Sequence, residues 1–301
     1  MAFDYAEFSA SFPWFFPGVA FIFGAVVGSF LNVCIYRIPR KASVVTPGSH
    51  CACGKPIAWH DNIPILSWFI LRGTARCCGR PYSFRYPLVE FLTGALFLAC
   101  WLAFPPAKAL CGMFFVSALI CATFIDLDTF EIPDLFSLWL GMAGLVLAFF
   151  IPSLHGQYDD IAVVASVRSL TIALKGLLIG AGLVYLICEL AFAILKKEGM
   201  GLGDVKLVAA IGAFCGWEGT LTSLFGGAIL GSLWFAAAYV WQLASGKKIE
   251  VKAMEEGEGP QELGMKTQIP FGPSLAAAGL LHFLYLHQWV NAYFGEIAAM
   301  L

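Results

Sequence analysis

The sequence predicts an all-α polytopic membrane protein of about eight transmembrane helices, with a small cysteine-containing cytoplasmic domain between helices one and two. Three observations carry this. The 301 residues are 59% hydrophobic and only 13% charged, far from the balance of a soluble chain. Stretches without Asp, Glu, Lys or Arg recur at lengths near the roughly 20 residues that cross a ~30 Å hydrocarbon core. The cations gather in alternate connecting loops, as the positive-inside rule requires.

The charge-free runs extend from Phe8 to Tyr36, Phe91 to Ala107, Ala109 to Ile125, Leu135 to Tyr158, Gly219 to Gly246 and Thr267 to Gly295. Two further segments complete the set: Ser169 to Leu195 contains Lys175 and Glu189, and Val205 to Trp217 is short. The first span is expected to be retained rather than cleaved as a signal peptide. Its leading residues hold Asp4 and Glu7 but no cation, and its apolar run is too long. Alternating the spans puts fifteen of the eighteen Lys and Arg on one side, with Lys108, Arg168 and Lys175 opposed. That side is the cytoplasm, so the N-terminus is expected outside. Deleting one crossing would scatter the cations.

The expected organisation is a first transmembrane helix over 1–37, a cytoplasmic domain over 38–86 and a seven-helix membrane domain over 87–301. The middle segment is too short to bury a good core unaided and calls for a metal or disulfide staple. Cytoplasmic reduction favours metal. Residues 247–266, with Glu255, Glu256 and Glu258, are expected to form a solvated connection.

Ionisable groups at membrane depth are expensive and mark function by default. Here they are Glu90, Asp126, Lys175, Glu189 and Asp204. Asp126 ends an apolar run at a cytoplasmic helix end. Asp204 closes Gly201-Leu202-Gly203-Asp204 at the start of another span, also on the cytoplasmic side. Gly201 and Gly203 lack Cβ, so the backbone there can leave the helix and approach a neighbour closely. Two carboxylates sharing a site cannot both ionise cheaply, so one keeps a proton while the other activates water. Helix polarity names Asp204, at a helix N-terminus, as the ionised base and Asp126 as its protonated partner. Spacing alone also allows both acids to be helix caps in interfacial water. Asp134, after Pro133, is expected to be such a cap, and Lys206 a positive-inside anchor pointing away from the dyad.

Several blocks then line up in order: Gly28-Ser29-Phe30-Leu31-Asn32-Val33, Asp61-Asn62-Ile63-Pro64, Leu66-Ser67-Trp68 and Arg85-Tyr86-Pro87-Leu88-Val89-Glu90. They continue with Ile125-Asp126-Leu127-Asp128, Ile132-Pro133-Asp134, Gly201 to Asp204, and Ile269-Pro270-Phe271-Gly272-Pro273. Through them the chain resembles the bacterial prepilin peptidases, or type IV leader peptidases, a family of Gly-x-Gly-Asp aspartic membrane proteases. The resemblance implies catalytic roles for Asp126 and Asp204, with Gly201, Gly203 and Glu90 in support. It implies leader removal from type IV prepilins or type II secretion pseudopilins at the cytoplasmic face of the inner membrane, after a Gly and usually before Phe. It also implies N-methylation of the new N-terminus from S-adenosylmethionine, an activity that no residue here identifies. The expected partners are these pilins and the bilayer, with no nucleic acid.

The longer members of the family carry two Cys-x-x-Cys pairs, the spacing of a four-thiolate zinc site. This chain has Cys51-Ala52-Cys53 and Cys77-Cys78, so two of four ligands are displaced. Zinc is expected on Cys51, Cys53, Cys77 and Cys78, or with His50 or His60 replacing one; reduced cysteines in a plain loop are the alternative. Cys34, Cys100, Cys111, Cys121, Cys188 and Cys215 lie in apolar runs and read as small buried hydrophobes. Glu90 is expected to hold Arg72 or Arg85. Two other functions compete: an ion-coupled carrier, which would place its acids near the midplane, and an assembly factor that clamps pilins without cutting them.

Overall fold

The computed structural model describes residues 8–9, 11–196, 201–245, 250–251, 261–262 and 270–300. Asp4, Glu7, Lys197, the two residues preceding Gly201 and the acidic stretch 255–258 lie outside the described residues. The chain divides into two compact units, Met1–Cys121 and Ala122–Leu301.

The first unit is built on an antiparallel helix pair, α1 (Phe15–Arg37) and α3 (Arg85–Ala103). Small residues set their approach, as is usual where lipid removes the hydrophobic drive between helices. A Cβ on Gly24 would fall 2.8 Å from the Gly94 Cα, and one on Gly28 would fall 2.7 Å from the Glu90 Cα. Asn32 Nδ2 donates to the Tyr86 carbonyl at 3.1 Å where the pair opens onto the connecting loop. That loop holds a 3₁₀ turn, Trp59–Asn62, and the short helix α2, Leu66–Ile70. Helix α4 (Pro106–Thr129) follows, and the boundary between the units falls within it.

The second unit contains α5 (Leu138–Phe150), α6 (Ala162–Leu195), α7 (Leu202–Ser245), α8 (Gly272–Leu281) and α9 (His287–Met300), with a π-helical turn at His282–Leu286 joining the last two. Residues 250–251 and 261–262 form a two-residue antiparallel pair. A straight 44-residue helix would rise about 66 Å at 1.5 Å per residue, twice the hydrocarbon thickness. Gly216 resolves this: its φ of 73° and ψ of −177° are open essentially to glycine alone, and the chain folds back there.

Contacts on both sides of Gly216 fix the directions. Gly141 packs on Ala210, and Gly144 on Ala213 and Phe214, so α5 runs parallel to the first arm of α7. Gly180 packs on Ala209, and Gly176 on Gly212, so α6 runs antiparallel to it. Beyond the break, Gly231 meets Ser274, Gly227 meets Leu275 and Gly219 meets His282, so the second arm runs antiparallel to α8. Gly279 against Ile211 sets α8 parallel to the first arm. The chain therefore alternates direction at every crossing from α5 onward. The short segment Val205 to Trp217 and the run from Gly219 are two arms of one broken helix.

The first arm is the core of this unit: Leu207, Val208, Ile211 and Ala213 are completely buried. It rises only about 21 Å, which suffices because protein rather than lipid surrounds it. Thr220 closes the break by donating to the carbonyls of Gly176, at 3.1 Å, and Gly216, at 3.2 Å. Large apolar side chains such as Ile22, Phe23 and Val26 on α1 and Leu178 and Leu186 on α6 are exposed, as lipid-facing positions should be. Helix α5 is shorter than its charge-free run. Pro152 lacks an amide donor, so the chain passes at Ile151 into a 3₁₀ turn, Pro152–His155.

Candidate active site

Asp126 lies in the last turn of α4 and is 4% exposed. The helix ends just beyond it, where the Phe130 amide donates to the Asp126 carbonyl at 2.8 Å. Phe130 has φ +56°, an unusual left-handed position for a bulky residue, and the chain turns there into Glu131-Ile132-Pro133. Asp204 lies in the first turn of α7, half-buried, and its carboxylate accepts a hydrogen bond from the Gly201 backbone.

Three glycine-mediated contacts bring these ends together. A Cβ on Gly203 would fall 3.3 Å from Ile132 Cβ, so the N-terminus of α7 rests on the turn after Asp126. Gly272, the first residue of α8, packs on the same Ile132. Its amide donates to Asp126 Oδ2 at 3.0 Å. A Cβ there would fall 2.6 Å from that oxygen. The charge on Asp204 in turn acts on Asp126. Neither acid forms an ion pair among the described residues.

Gly203 serves differently from the expectation. It sits inside α7 without a positive φ, so it supplies close packing rather than a turn out of the helix. Asp134 opens a 3₁₀ turn, and its side chain caps nothing. Its Oδ1 instead meets Lys206 Nζ at 2.6 Å, tying the turn after Asp126 to the helix that carries Asp204. Gly272 is the residue that no chemical pattern singled out. Its signal was present in Gly272-Pro273, a helix start with proline in the first turn, but nothing local says which acid that start faces.

Residues 22–104 match the bacterial peptidase A24 N-terminal domain, and residues 113–236 match the type IV leader peptidase family. A prepilin leader peptidase/N-methyltransferase of Myxococcus xanthus is 34% identical, over 93% of this chain and 93% of its own. The chain belongs to the type IV leader peptidase family. A Klebsiella pneumoniae protein of the same name is 39% identical, over 70% of this chain and 90% of its own. A leader peptide-processing enzyme for type 4 prepilin-like proteins from Escherichia coli is 36% identical, over 68% and 79%. No solved structure matches.

The loop of this family member draws its displaced cysteines into one cluster, with the sulfurs of Cys51, Cys53, Cys77 and Cys78 within 4.8 Å of one another. Each pair straddles a tight turn: the Cys51 amide bonds to the Lys55 carbonyl around Gly54, and the Ala75 amide to the Arg80 carbonyl around Gly79. Both glycines have positive φ, which makes the two turns alike despite their different spacing. A zinc–thiolate bond of about 2.3 Å implies tetrahedral edges of roughly 3.8 Å. The pairs Cys51–Cys78, at 3.5 Å, and Cys53–Cys77, at 3.4 Å, suit that geometry, so the cluster could hold a metal ion. The Cys53 amide and the neighbouring thiols pull Cys51 down to about 7. Hydrogen bonding to Cys51 and Cys53 pushes Cys77 up to about 12.

Of the remaining cysteines, Cys34, Cys100, Cys111 and Cys121 are buried, while Cys188 and Cys215 are half-buried. Glu90, 9% exposed, accepts from the Ile65 amide at 2.7 Å, where the sequence suggests Arg72 or Arg85. It orients the loop through backbone rather than through a guanidinium.

Proposed function

We propose that this chain is an aspartic endopeptidase that removes the leaders of type IV prepilins or pseudopilins, using Asp126 and Asp204 on one water molecule. The observation that supports this is the convergence on Ile132 of the α4 end, the α7 start and the α8 start, with no ion pair to either acid among the described residues. One carboxylate takes a proton from the water as it attacks the scissile carbonyl. The other donates its proton to the developing oxyanion; in the collapse the roles exchange, the first acid passing the proton it took from water to the leaving amine while the second takes back the proton of the tetrahedral hydroxyl. Oδ2 of Asp126 already accepts from the Gly272 amide, so a proton held at Asp126 rides on Oδ1. Gly201 and Gly203 support the site by admitting close approach around Asp204.

The acids sit at helix ends, beside the turn 130–137, and not midway along a span, which argues against an ion-coupled carrier. Orientation follows from the cations: N-terminus outside, both acids at the cytoplasmic face of the inner membrane. The cysteine cluster is read as a structural zinc site. Its four thiolates would close the coordination sphere and hold the loop's two turns together.

The enzyme is read as bifunctional, N-methylating the new N-terminus. S-adenosylmethionine, when bound, supplies the electrophilic methyl group. The deciding experiment incubates purified protein with a prepilin and methyl-labelled S-adenosylmethionine and scores cleavage and label separately. Leader removal lost in both Asp126→Asn and Asp204→Asn supports the reading. Pilin binding without cutting by the wild type supports the clamp instead.

A further inference from the structure

Asp134 and Lys206 stand outside the aspartate pair, yet they join the two elements that carry it, Oδ1 to Nζ at 2.6 Å. Asp134 closes the turn that leaves α4 after Asp126, and Lys206 follows Asp204 by two positions on α7. Two positions amount to roughly 200° about a helix axis, so the ammonium and the Asp204 carboxylate project from opposite sides of α7. Lys206 therefore reaches the acids through the backbone and not by contact.

Both elements need such a tie. The turn is strained, since Phe130 holds φ +56°, and a bulky residue stays in that region only where its surroundings over-determine it. Thr129 Oγ1 braces one end, donating to the Ile125 carbonyl at 2.9 Å and accepting from the Glu131 amide at 3.3 Å. Ile132 packs on Gly203 and Gly272 in the middle, and Asp134 grips Lys206 at the far end. The start of α7 is lightly packed in turn: Gly201 and Leu202 are exposed, Gly203 has no side chain, and complete burial begins only at Leu207.

We propose that Lys206 is a positioning residue for peptide cleavage: through Asp134 it clamps the first turn of α7 to the strained turn after Asp126 and so sets the two acids against each other. The proposal rests on the reading of Asp126 and Asp204 as one catalytic pair. An exposed ion pair contributes little to folding, but a reacting pair demands far more of geometry than a fold does. A carboxylate about 5.5 Å from a helix axis moves about 1 Å when that turn rotates by about 10°. A displacement of that size costs on the order of 10²-fold in rate. A pair that barely stabilises the protein thus governs its rate. The rival account, in which the Lys206 charge acts on the acids through space, makes a different prediction: removing a cation and removing an anion would move the pH profile in opposite directions.

The test uses full-length protein in nanodiscs and measures kcat and KM for prepilin cleavage across both limbs of the pH profile. The variants are Lys206→Met, Asp134→Ala, the two combined, and Lys206→Arg, which keeps the ion pair. Each single loss is expected to lower kcat by about 10- to 100-fold with KM within about twofold. The combined variant is expected to be no slower than the slower single one, Lys206→Arg to stay within about threefold of wild type, and the pH limbs to stay in place. Wild-type kcat in Lys206→Met, a loss confined to KM, Lys206→Arg as slow as Lys206→Met, or pH limbs displaced in opposite directions by Lys206→Met and Asp134→Ala each overturn the clamp while the proposed function stands. A wild type that binds prepilin without cutting it overturns both. Should Lys206→Met fail to fold, Asp134→Ala and Lys206→Arg decide.

Discussion

At the residue scale, one hydrogen atom at position 272 keeps the candidate site open. Replacing it in Gly272→Ala drives a methyl group against Asp126 Oδ2, 2.6 Å from the ideal Cβ. The carboxylate must move, and a displacement near 1 Å costs on the order of 10²-fold in rate. Prepilin cleavage should fall by about that factor while the variant keeps its helical circular dichroism; an unchanged rate would remove Gly272 from the site. In the loop, Arg76 binds Asp61 through Nε and Nη2, at 2.8–3.0 Å, and holds its carboxyl below the usual range. A depressed folded-state pKa makes this contribution complete at neutral pH and lost as pH falls through that value. Limited proteolysis of the loop should therefore accelerate on acidification below the usual carboxylate range and stay constant from pH 7 to 9. Arg76→Ala should abolish that dependence.

At the scale of elements, Gly216 decides whether residues 202–245 form one rod or two arms. A side chain there meets a backbone conformation closed to L-residues, and Ile172 lies 3.3 Å from the new Cβ. Gly216→Ala should destabilise the protein by about 1–3 kcal/mol, read as a lower denaturant midpoint in micelles. The Lys206–Asp134 pair is partly exposed on both sides, so breaking it should change stability by no more than about 1 kcal/mol. A double-mutant cycle gives the value.

These elements also show what was legible in sequence. Charge-free runs located six of the crossings, because a span's length and composition are set by the bilayer and not by its neighbours, while 169–195 and 205–217 carry charge and were less plain. The hairpin at Gly216 could be counted but not seen, since glycine recurs throughout α6 and α7 and only packing shows which one breaks the helix. Asp126 and Asp204 stood out because acids are rare at that depth. Gly272 did not, because its role depends on a partner 146 positions away. The cysteine spacing looked damaged, yet positive-φ glycines after each pair restore the cluster, and no residue count records that. The tie between Glu90 and the Ile65 amide had no sequence signal beyond the blocks around them.

At the scale of the molecule, the cysteine cluster lies within 1–121 and both aspartates within 122–301. Stripping metal from the cysteine cluster with a strong chelator should expose the loop to protease while cleavage by the dyad persists, provided the substrate is saturating. Loss of both together would show that the loop serves proteolysis directly.

The central claim is that Asp126 and Asp204 act as one unit, and comparing single with paired loss tests it most directly. Residual prepilin cleavage is measured by mass spectrometry for Asp126→Asn, Asp204→Asn and the double variant. If the acids share one reaction, each single variant falls by at least about 10³-fold and the double is no slower than either. A double variant slower by the product of the two losses, or a single variant that cuts at the wild-type rate, would contradict the account.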